Sequence, residues 1–508
     1  MSRLLKNTSV IAFATFLSRI LGFIRDIVVA YALGTGPFAD AFFVAFRLPN
    51  LMRRLFAEGS LTMAFVPVFK EIKHVEGRDR AFCFARATFV WLLIILVVLT
   101  LVVICFAPMV TFLVAPGFKH EAHVFNYAVE LVRICFPYVI FVCSVALCMG
   151  ILNSLGHFAA PAYAPCILNV VLITSALVAV HFRWNVAGAL AWGVLLAGVL
   201  QFLLQQWPLK RMGFSWIGPF SMKDKGVRLL FKLMLPTIFG AAVYQMGIII
   251  NTVLASFLHQ GAISYLYYAD RLVQFPLGVF GVAVSVAALP DLSSLATKGD
   301  IQGFKQTLNA SLALILFVSL PATAGLIGLA HPIIKVLFFR GAFTETSVSS
   351  TSLALLGYAV GLPAFSCVRT LVSSFYALKD TKSPVVVASI CLVVNVIMGV
   401  ILMRPFSFLG LALAVSISSF LNIALLSLLL TRKIGAWFKM MPKYMVMLAL
   451  STIILVTSRL ISLNDISSFL LIPVWMAFYI GISWLFKVEE AMLFVKLIGS
   501  FFLPRGKK

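Results

Sequence analysis

The sequence predicts an all-α polytopic membrane protein with about fourteen transmembrane helices. Three observations predict this class. Of the 508 residues, 62% are apolar and 11% are charged, whereas an ordinary soluble domain is about 25% charged. The mean hydropathy is +1.06, and long apolar runs recur along the whole chain. This composition excludes a soluble globular fold and a disordered chain, and eight cysteines in 508 residues exclude a disulfide scaffold.

Each predicted span is an apolar run of about 20 residues or more, the length that crosses a bilayer as a helix. Several spans contain a proline, which a membrane helix tolerates where neighbours or water satisfy the freed carbonyl groups, and this favours a cavity. The fourteen runs are 8–33, 38–69, 82–113, 122–154, 160–181, 185–208, 226–257, 262–291, 305–330, 346–377, 384–403, 407–430, 440–461 and 467–498.

The basic residues between these spans orient the chain. They concentrate in alternate loops and at both termini, while the opposite side carries few lysines and arginines. The positive-inside rule therefore predicts that both termini are cytoplasmic. Most of the net charge of +23 then serves topology. Because no compact basic domain is present, we expect no nucleic-acid partner.

The longest loop predicts the domain boundaries. It lies between spans six and seven and divides the first twelve spans into equal halves. An offset of 224 residues also carries Arg47 and Leu48 onto Arg271 and Leu272, a weak sign of duplication. The sequence therefore predicts an N-terminal lobe (1–208), a cytoplasmic linker (209–225), a C-terminal lobe (226–432) and a final segment with spans thirteen and fourteen (433–508).

Charged side chains inside three spans are the candidate functional residues. A charge at the bilayer centre costs about 2.5–3.5 kcal/mol or more, so it faces the bundle interior or water. In span one, the polar and small residues from Ser18 to Asp26 form one stripe, although Arg19 and Arg25 could instead snorkel. Span two carries a second stripe, in which we interpret Asp40 and Glu58 as holding arginines. The candidates are Ser18, Arg19, Arg25, Asp26, Asp40, Asn50, Arg53, Arg54, Glu58, Asp270, Arg271 and Gln274.

The first two spans are net cationic, and their cations are arginines. The planar guanidinium group suits phosphate, so the pattern predicts an interior that binds a phosphate or diphosphate anion. In span eight, Tyr267, Arg271 and Gln274 share a face, and the wall aromatics and Gln274 could serve a sugar, although Asp270 could belong to a structural ion pair. Histidines and cysteines lack metal-ligand spacing, so we expect no metal site.

The same residues carry a family resemblance. The stretches SRILGFIRDIVVAYALG (18–34), DAFFVAFRLPNLMRRLFAEGSLTMAFVPVF (40–69) and YYADRLVQFPLGVFGVA (267–283) resemble the MurJ/MviN lipid II flippases of the MOP superfamily. The resemblance implies two six-helix lobes around a central cavity plus a C-terminal helix pair with a groove for the lipid tail. It also implies flipping of undecaprenyl-diphosphate-linked disaccharide-pentapeptide across the bacterial inner membrane for peptidoglycan synthesis, by alternating access.

The resemblance implies roles for the candidate residues. Arg19, Arg25, Arg53 and Arg271 would bind the diphosphate, and the other candidates would support or gate the cavity. It implies a transporter without a cofactor, partnered by lipid II, membrane lipids and possible cell-wall synthesis machinery; we expect a monomer. Some relatives hold Na⁺ in the second lobe. This sequence offers few such ligands, so a Na⁺ site is not expected and the coupling ion stays open.

Two alternatives remain at this point. An exporter of another lipid-linked oligosaccharide or amphiphile could use the same fold, because fold alone does not fix the substrate. A membrane glycosyltransferase would need a catalytic carboxylate in a substantial outer loop. The predicted outer side has short loops and few acids, among them Glu121, Glu345 and Asp465. We therefore expect no enzyme activity.

Overall fold

The computed structural model describes residues 2–438, 442–460 and 464–492, with side chains except at 2–8, 57–59, 237, 239–241, 243–244 and 279–280. Within these ranges the chain forms helices and connections and no strand. Nine of the helices found there are long and apolar enough to cross a membrane. The all-α polytopic class is therefore confirmed, whereas the number of fourteen spans stays a prediction.

Two compact units can be distinguished, and the first comprises residues up to Ser264 together with Arg340–Thr344. Its core includes the rings of Phe65 and Phe84, whose centroids stack 5.3 Å apart. The helices of this unit, up to the connection after α10, are α1 (Ser2–Leu33), α2 (Pro37–Met52), α3 (Leu61–Val75), α4 (Arg78–Cys105), α5 (Ala107–Val114), α6 (Ala122–Cys135), α7 (Tyr138–Ser154), α8 (Ala159–His181), α9 (Val186–Arg211) and α10 (Lys225–Ser256).

The second unit comprises Tyr265–Phe339 and the described residues from Glu345 onward. In it, α13 packs against α15 and α17. The division into lobes at residues 208 and 226 stays a prediction. The helices that follow α10 are α11 (Ala262–Pro276), which begins in the first unit, α12 (Val282–Lys298), α13 (Ile301–Gly328), α14 (Ala330–Phe338), α15 (Glu345–Ala377), α16 (Lys382–Ile434), α17 (Pro442–Leu460), α18 (Asp465–Leu470) and α19 (Ile472–Leu485).

Several predicted spans are interrupted helices. The span predicted at 82–113 divides into α4 and α5, and the span at 122–154 divides into α6 and α7 beside Pro137. Conversely, the spans at 384–403 and 407–430 meet at a kink, because Ser407 has φ 52° and ψ −131° inside α16. The span at 38–69 contains a π-helical segment between α2 and α3.

The π-helical segments alter the side-chain register that an ideal α-helix predicts. One covers Arg53–Ser60, shortly after Pro49, and the other covers Leu277–Gly281, directly after Pro276. A π-helix closes i→i+5 hydrogen bonds, so residues four apart no longer complete one turn. The placing of Arg54 and Glu58 in one stripe assumes an ideal α-helix, and it stays a prediction. The offset of 224 residues carries the start of the first segment onto the start of the second, which is consistent with duplication.

Candidate functional site

Arg25 of α1 is fixed by two neighbours inside the first unit. Its Nε and Nη2 atoms donate to Oδ1 of Asp26 at 3.1 and 2.6 Å, and its Nη1 donates to Oδ1 of Asn169 at 3.0 Å. Asn169 lies on α8 and donates from Nδ2 to the carbonyl oxygen of Ser18 at 3.0 Å. Only 12% of the Arg25 side chain is exposed. The stripe predicted on α1 thus contains a positioned, largely buried guanidinium group.

Asn169 is a residue that the sequence reasoning missed. It interrupts a strongly apolar stretch of α8, CILNVVLITSALV. A lone amide in such a stretch costs free energy unless it is hydrogen-bonded. That rule could have marked Asn169 as a candidate, but the sequence does not indicate that its partners are Arg25 and Ser18.

Replacing Asn169 by leucine is expected to lower the free energy of unfolding by about 1.5–3 kcal/mol, since one hydrogen bond to a charged group contributes about that much. Asp26 still holds Arg25 in this variant, so the loss stays partial. Thr174→Val is the matched control, because Thr174 lies on the same helix and its hydroxyl donates to the carbonyl oxygen of Val170, one turn earlier. The measurement is the thermal unfolding midpoint of the detergent-purified chain; equal midpoints for both variants would contradict the positioning role.

Arg53 lies where α2 passes into the π-helical segment, and Asn50 holds it. The Nε and Nη2 atoms of Arg53 donate to Oδ1 of Asn50 at 3.0 and 2.9 Å. Both residues are half-buried, as is Arg54. The side chain of Glu58 lies outside the described residues. Asn50 is neutral, so it orients the guanidinium group without cancelling its charge.

Asp40 has a different role from the one we interpreted. Its carboxylate is buried and accepts hydrogen bonds from the backbone N–H groups of Gly261 and Ser264 at 2.7 and 2.8 Å, and from the Ser264 hydroxyl at 2.5 Å. These donors belong to the start of α11, where a helix leaves N–H groups unsatisfied. Asp40 therefore caps α11 from another helix. The interpretation that Asp40 holds an arginine is wrong, because its carboxylate accepts from Gly261 and Ser264 instead. The sequence alone does not indicate that residues 40 and 264 lie close together.

Arg47, a further arginine of α2, contacts α10. Its Nη1 atom donates to the hydroxyl oxygen of Thr252. Arg47 and Asp40 thus both join α2 to the segment around the end of α10, and both contacts lie inside the first unit.

Arg19 is exposed and Ser18 is half-buried on α1.

In the second unit, Arg271 and its neighbours form a local cluster on α11. The guanidinium carbon of Arg271 lies 4.7 Å from the centroid of the Tyr267 ring, a cation–π contact. Gln274 donates from Nε2 to Oδ1 of Asp270 at 3.3 Å. Tyr267 therefore positions Arg271, as the shared face predicted. The joining of Arg19, Arg25, Arg53 and Arg271 into one diphosphate site stays a prediction.

Asp380 lies in the connection between α15 and α16 and is fixed by local partners. Asp380 pairs with Nζ of Lys433 at 2.6 Å and accepts from the hydroxyl of Ser383 at 2.6 Å. Burial raises the pKa of this carboxyl, but the hydrogen bonds from Lys433 and Ser383 outweigh burial and hold the pKa well below its usual value. Asp380 therefore acts as a structural anion between the ends of α15 and α16.

Similarity to known proteins covers nearly the whole chain. Residues 29–480 match the family model described as lipid II flippase MurJ. The chain is 39% identical over 436 residues to a probable lipid II flippase MurJ of Vibrio cholerae, covering 84% of this chain and 82% of that protein. It is 34% identical over 508 residues to one of Buchnera aphidicola, covering 98% and 99%.

A solved structure gives the same result at the level of the fold. The structure titled lipid II flippase MurJ, inward closed conformation, superposes with a TM-score of 0.81 at 28% identity, covering 94% of this chain and 99% of that one. The matching family model spans far more than half of the chain, and the relatives match over most of their own length. The chain therefore belongs to the lipid II flippase MurJ family.

Proposed function

We propose that this chain flips lipid II, the undecaprenyl-diphosphate-linked disaccharide-pentapeptide, from the cytoplasmic to the outer leaflet for peptidoglycan synthesis. The observation that carries the proposal is the Arg25 cluster, because family membership supplies the substrate class and Arg25 supplies an anion-binding group within an apolar helix. Membership and the apolar helices also support a multi-pass protein of the bacterial inner membrane.

The local geometry of Arg25 and Arg53 suits reversible diphosphate binding. Each guanidinium group donates to an amide oxygen, from Asn169 or Asn50, and a neutral amide orients the group without cancelling its charge. A planar fork with fixed orientation pairs with phosphate oxygens through two parallel hydrogen bonds. Asp26 competes with the diphosphate for Arg25, which keeps binding weak enough for release. Arg19 and Arg271 would complete the diphosphate-binding set.

Alternating access would move the headgroup while the prenyl tail stays in lipid. The loop charges support cytoplasmic termini. The apolar helices α17 and α19 support a tail-binding role for the final segment, whose residues 439–441, 461–463 and 493–508 lie outside the described ranges. Transport of this kind needs no covalent step, so we propose no enzyme activity and no cofactor. We also propose a monomer that could contact the cell-wall synthesis machinery.

The second candidate function is export of another lipid-linked oligosaccharide or amphiphile. Native mass spectrometry of the purified chain with lipid II and competing amphiphiles distinguishes the two. We expect lipid II to bind, undecaprenyl diphosphate to compete and a cationic amphiphile not to compete. Arg25→Ala should weaken lipid II binding about ten- to a hundredfold, the value of one charged hydrogen-bonding group. Displacement of lipid II by the cationic amphiphile would contradict the proposal.

A further inference from the structure

The α9–α10 loop, residues 212–224, exposes apolar side chains outside every predicted span. Ile217 is 90% exposed, Phe220 48% and Met222 42%. Exposed apolar residues that cluster on a surface mark an interaction site. Contact with lipid along a membrane span would explain many exposed apolar residues of the long helices, but it does not explain these three in a loop between predicted spans.

Ring contacts fix this loop along the first part of α4. The Phe214 ring lies 5.2 Å from Phe82, and the Trp216 ring lies 4.2 Å from Phe89. The loop therefore follows α4 from its polar start towards its apolar run, which begins after Arg86. A helix rises 1.5 Å per residue, so Phe82 and Phe89 are about 10 Å apart along the axis.

Polar contacts to α4 hold the loop where it reverses direction. Arg86 donates to the carbonyl oxygens of Ser215 and Pro219, both at 2.8 Å. Trp91 donates from Nε1 to the carbonyl oxygen of Met222 at 3.0 Å. The apolar tip, residues 217–222, is thus held at the level where α4 becomes a membrane span, and its exposure does not result from a loose chain.

The return of the loop is anchored near the start of α4. Asp224 accepts from Nη1 of Arg80 at 2.6 Å and from the backbone N–H of Gly226 at 2.7 Å, which caps α10. Arg78 donates to the carbonyl oxygen of Met212 at the other end of the loop. Both ends of the loop therefore lie at the polar start of α4, with the apolar tip between them.

Exposed basic residues surround the ends of the loop. Lys210, Arg211, Lys223 and Lys225 are exposed, and the one acid among residues 207–225, Asp224, is neutralised by Arg80. The guanidinium carbon of Arg211 lies 3.6 Å from the centroid of the exposed Trp207 ring. Tryptophan and basic residues beside an apolar face are typical of a surface at the boundary between headgroups and acyl chains.

We propose that the α9–α10 loop is a membrane anchor that inserts Ile217, Phe220 and Met222 into the cytoplasmic leaflet and binds anionic phospholipid headgroups through Lys210, Arg211, Lys223 and Lys225. Attraction of a basic cluster to anionic lipid is the charge complementarity that selects this partner. The side of the membrane rests on the topology in the proposed function. The anchor would hold the linker between the predicted lobes at a fixed depth.

Labelling of the full-length chain tests the anchor. Ile217→Cys carries the fluorophore NBD in vesicles of phosphatidylethanolamine and phosphatidylglycerol, with brominated acyl chains as quenchers. The matched control is Gln302→Cys, an exposed position at the start of α13, and the unsubstituted chain gives the background from its eight native cysteines. We expect lipid quenching at residue 217 to exceed that at residue 302 at least twofold.

The anionic component is tested by charge removal. Replacing the four basic residues with glutamine should reduce quenching at residue 217 at least twofold in vesicles with phosphatidylglycerol and leave it unchanged in pure phosphatidylcholine. Equal quenching by aqueous iodide at residues 217 and 302 would overturn the anchor and favour a soluble partner. Insensitivity to charge removal would overturn the anionic-lipid assignment. The depth of the label does not depend on lipid II. The anchor can therefore be disproved while the chain still rescues flippase-depleted cells, and the anchor can be confirmed in a chain that does not rescue them.

Discussion

Replacing Arg53 with alanine is expected to abolish rescue of flippase-depleted cells while the protein still inserts in the membrane. Asn50 orients Arg53 through two hydrogen bonds, so the residue is positioned before substrate arrives. Hydrogen bonds to charged groups contribute about 1.5–3 kcal/mol each. Loss of a two-pronged contact therefore weakens lipid II binding at least about a hundredfold. The measurement is colony formation on depletion, with membrane levels of the protein determined in parallel.

Two further variants make the Arg53 result specific. Arg53→Lys keeps the positive charge but loses the planar fork, so we expect partial rescue between wild type and alanine. Arg432→Ala removes a charge from the exposed end of α16 and should rescue fully. Full rescue by Arg53→Ala at normal membrane levels would contradict a role in substrate binding, and equal loss in Arg53→Lys and Arg53→Ala would show that charge alone is insufficient.

Replacing Asp40 with alanine is expected to destabilise the protein by about 3 kcal/mol, because three donors at the start of α11 lose their buried acceptor. Rescue should fail with it, since Asp40 secures the segment that leads into the helix of Arg271. The measurement is the thermal unfolding midpoint of the detergent-purified chain, together with growth on depletion.

Ser264→Ala is the graded comparison for Asp40. It removes the hydroxyl donor and keeps both backbone donors, so we expect a loss of about 1 kcal/mol and retained rescue. Asp40→Asn should lie between the two, because one amide oxygen can still accept at Ser264 while the amide nitrogen faces the N–H of Gly261. A midpoint for Asp40→Ala equal to wild type would contradict the capping role.

The helical membrane class and several candidate site residues could be predicted from the sequence, because both depend on local hydrophobicity and charge. Apolar length determines whether a helix can cross a membrane, so composition indicated a polytopic chain. A charge within an apolar run is costly, so Arg25, Arg53 and Arg271 stood out without any structural information. The shared face of Tyr267 and Arg271 followed from α-helical periodicity, which holds in α11.

The rest depends on contacts between residues far apart in the chain. The carboxylate of Asp40 meets Ser264, and the amide of Asn169 meets Arg25, and neither pairing has a local sequence signal. The π-helical segment at Arg53–Ser60 changes the register that an ideal helix assumes. A proline at position 49 indicated a bend but did not indicate an extra residue in the turn. The path of the α9–α10 loop along α4 likewise depends on tertiary packing.

The accessibility of lipid II in the outer leaflet tests the central claim most directly. Cells depleted of their own flippase receive this chain or Arg53→Ala, and a membrane-impermeant reagent then labels or cleaves the exposed lipid II. We predict that the chain restores accessibility to the level of undepleted cells and that Arg53→Ala, present at equal amounts in the membrane, does not. If the chain inserts normally and lipid II stays inaccessible, the substrate is another amphiphile and the flippase account is wrong.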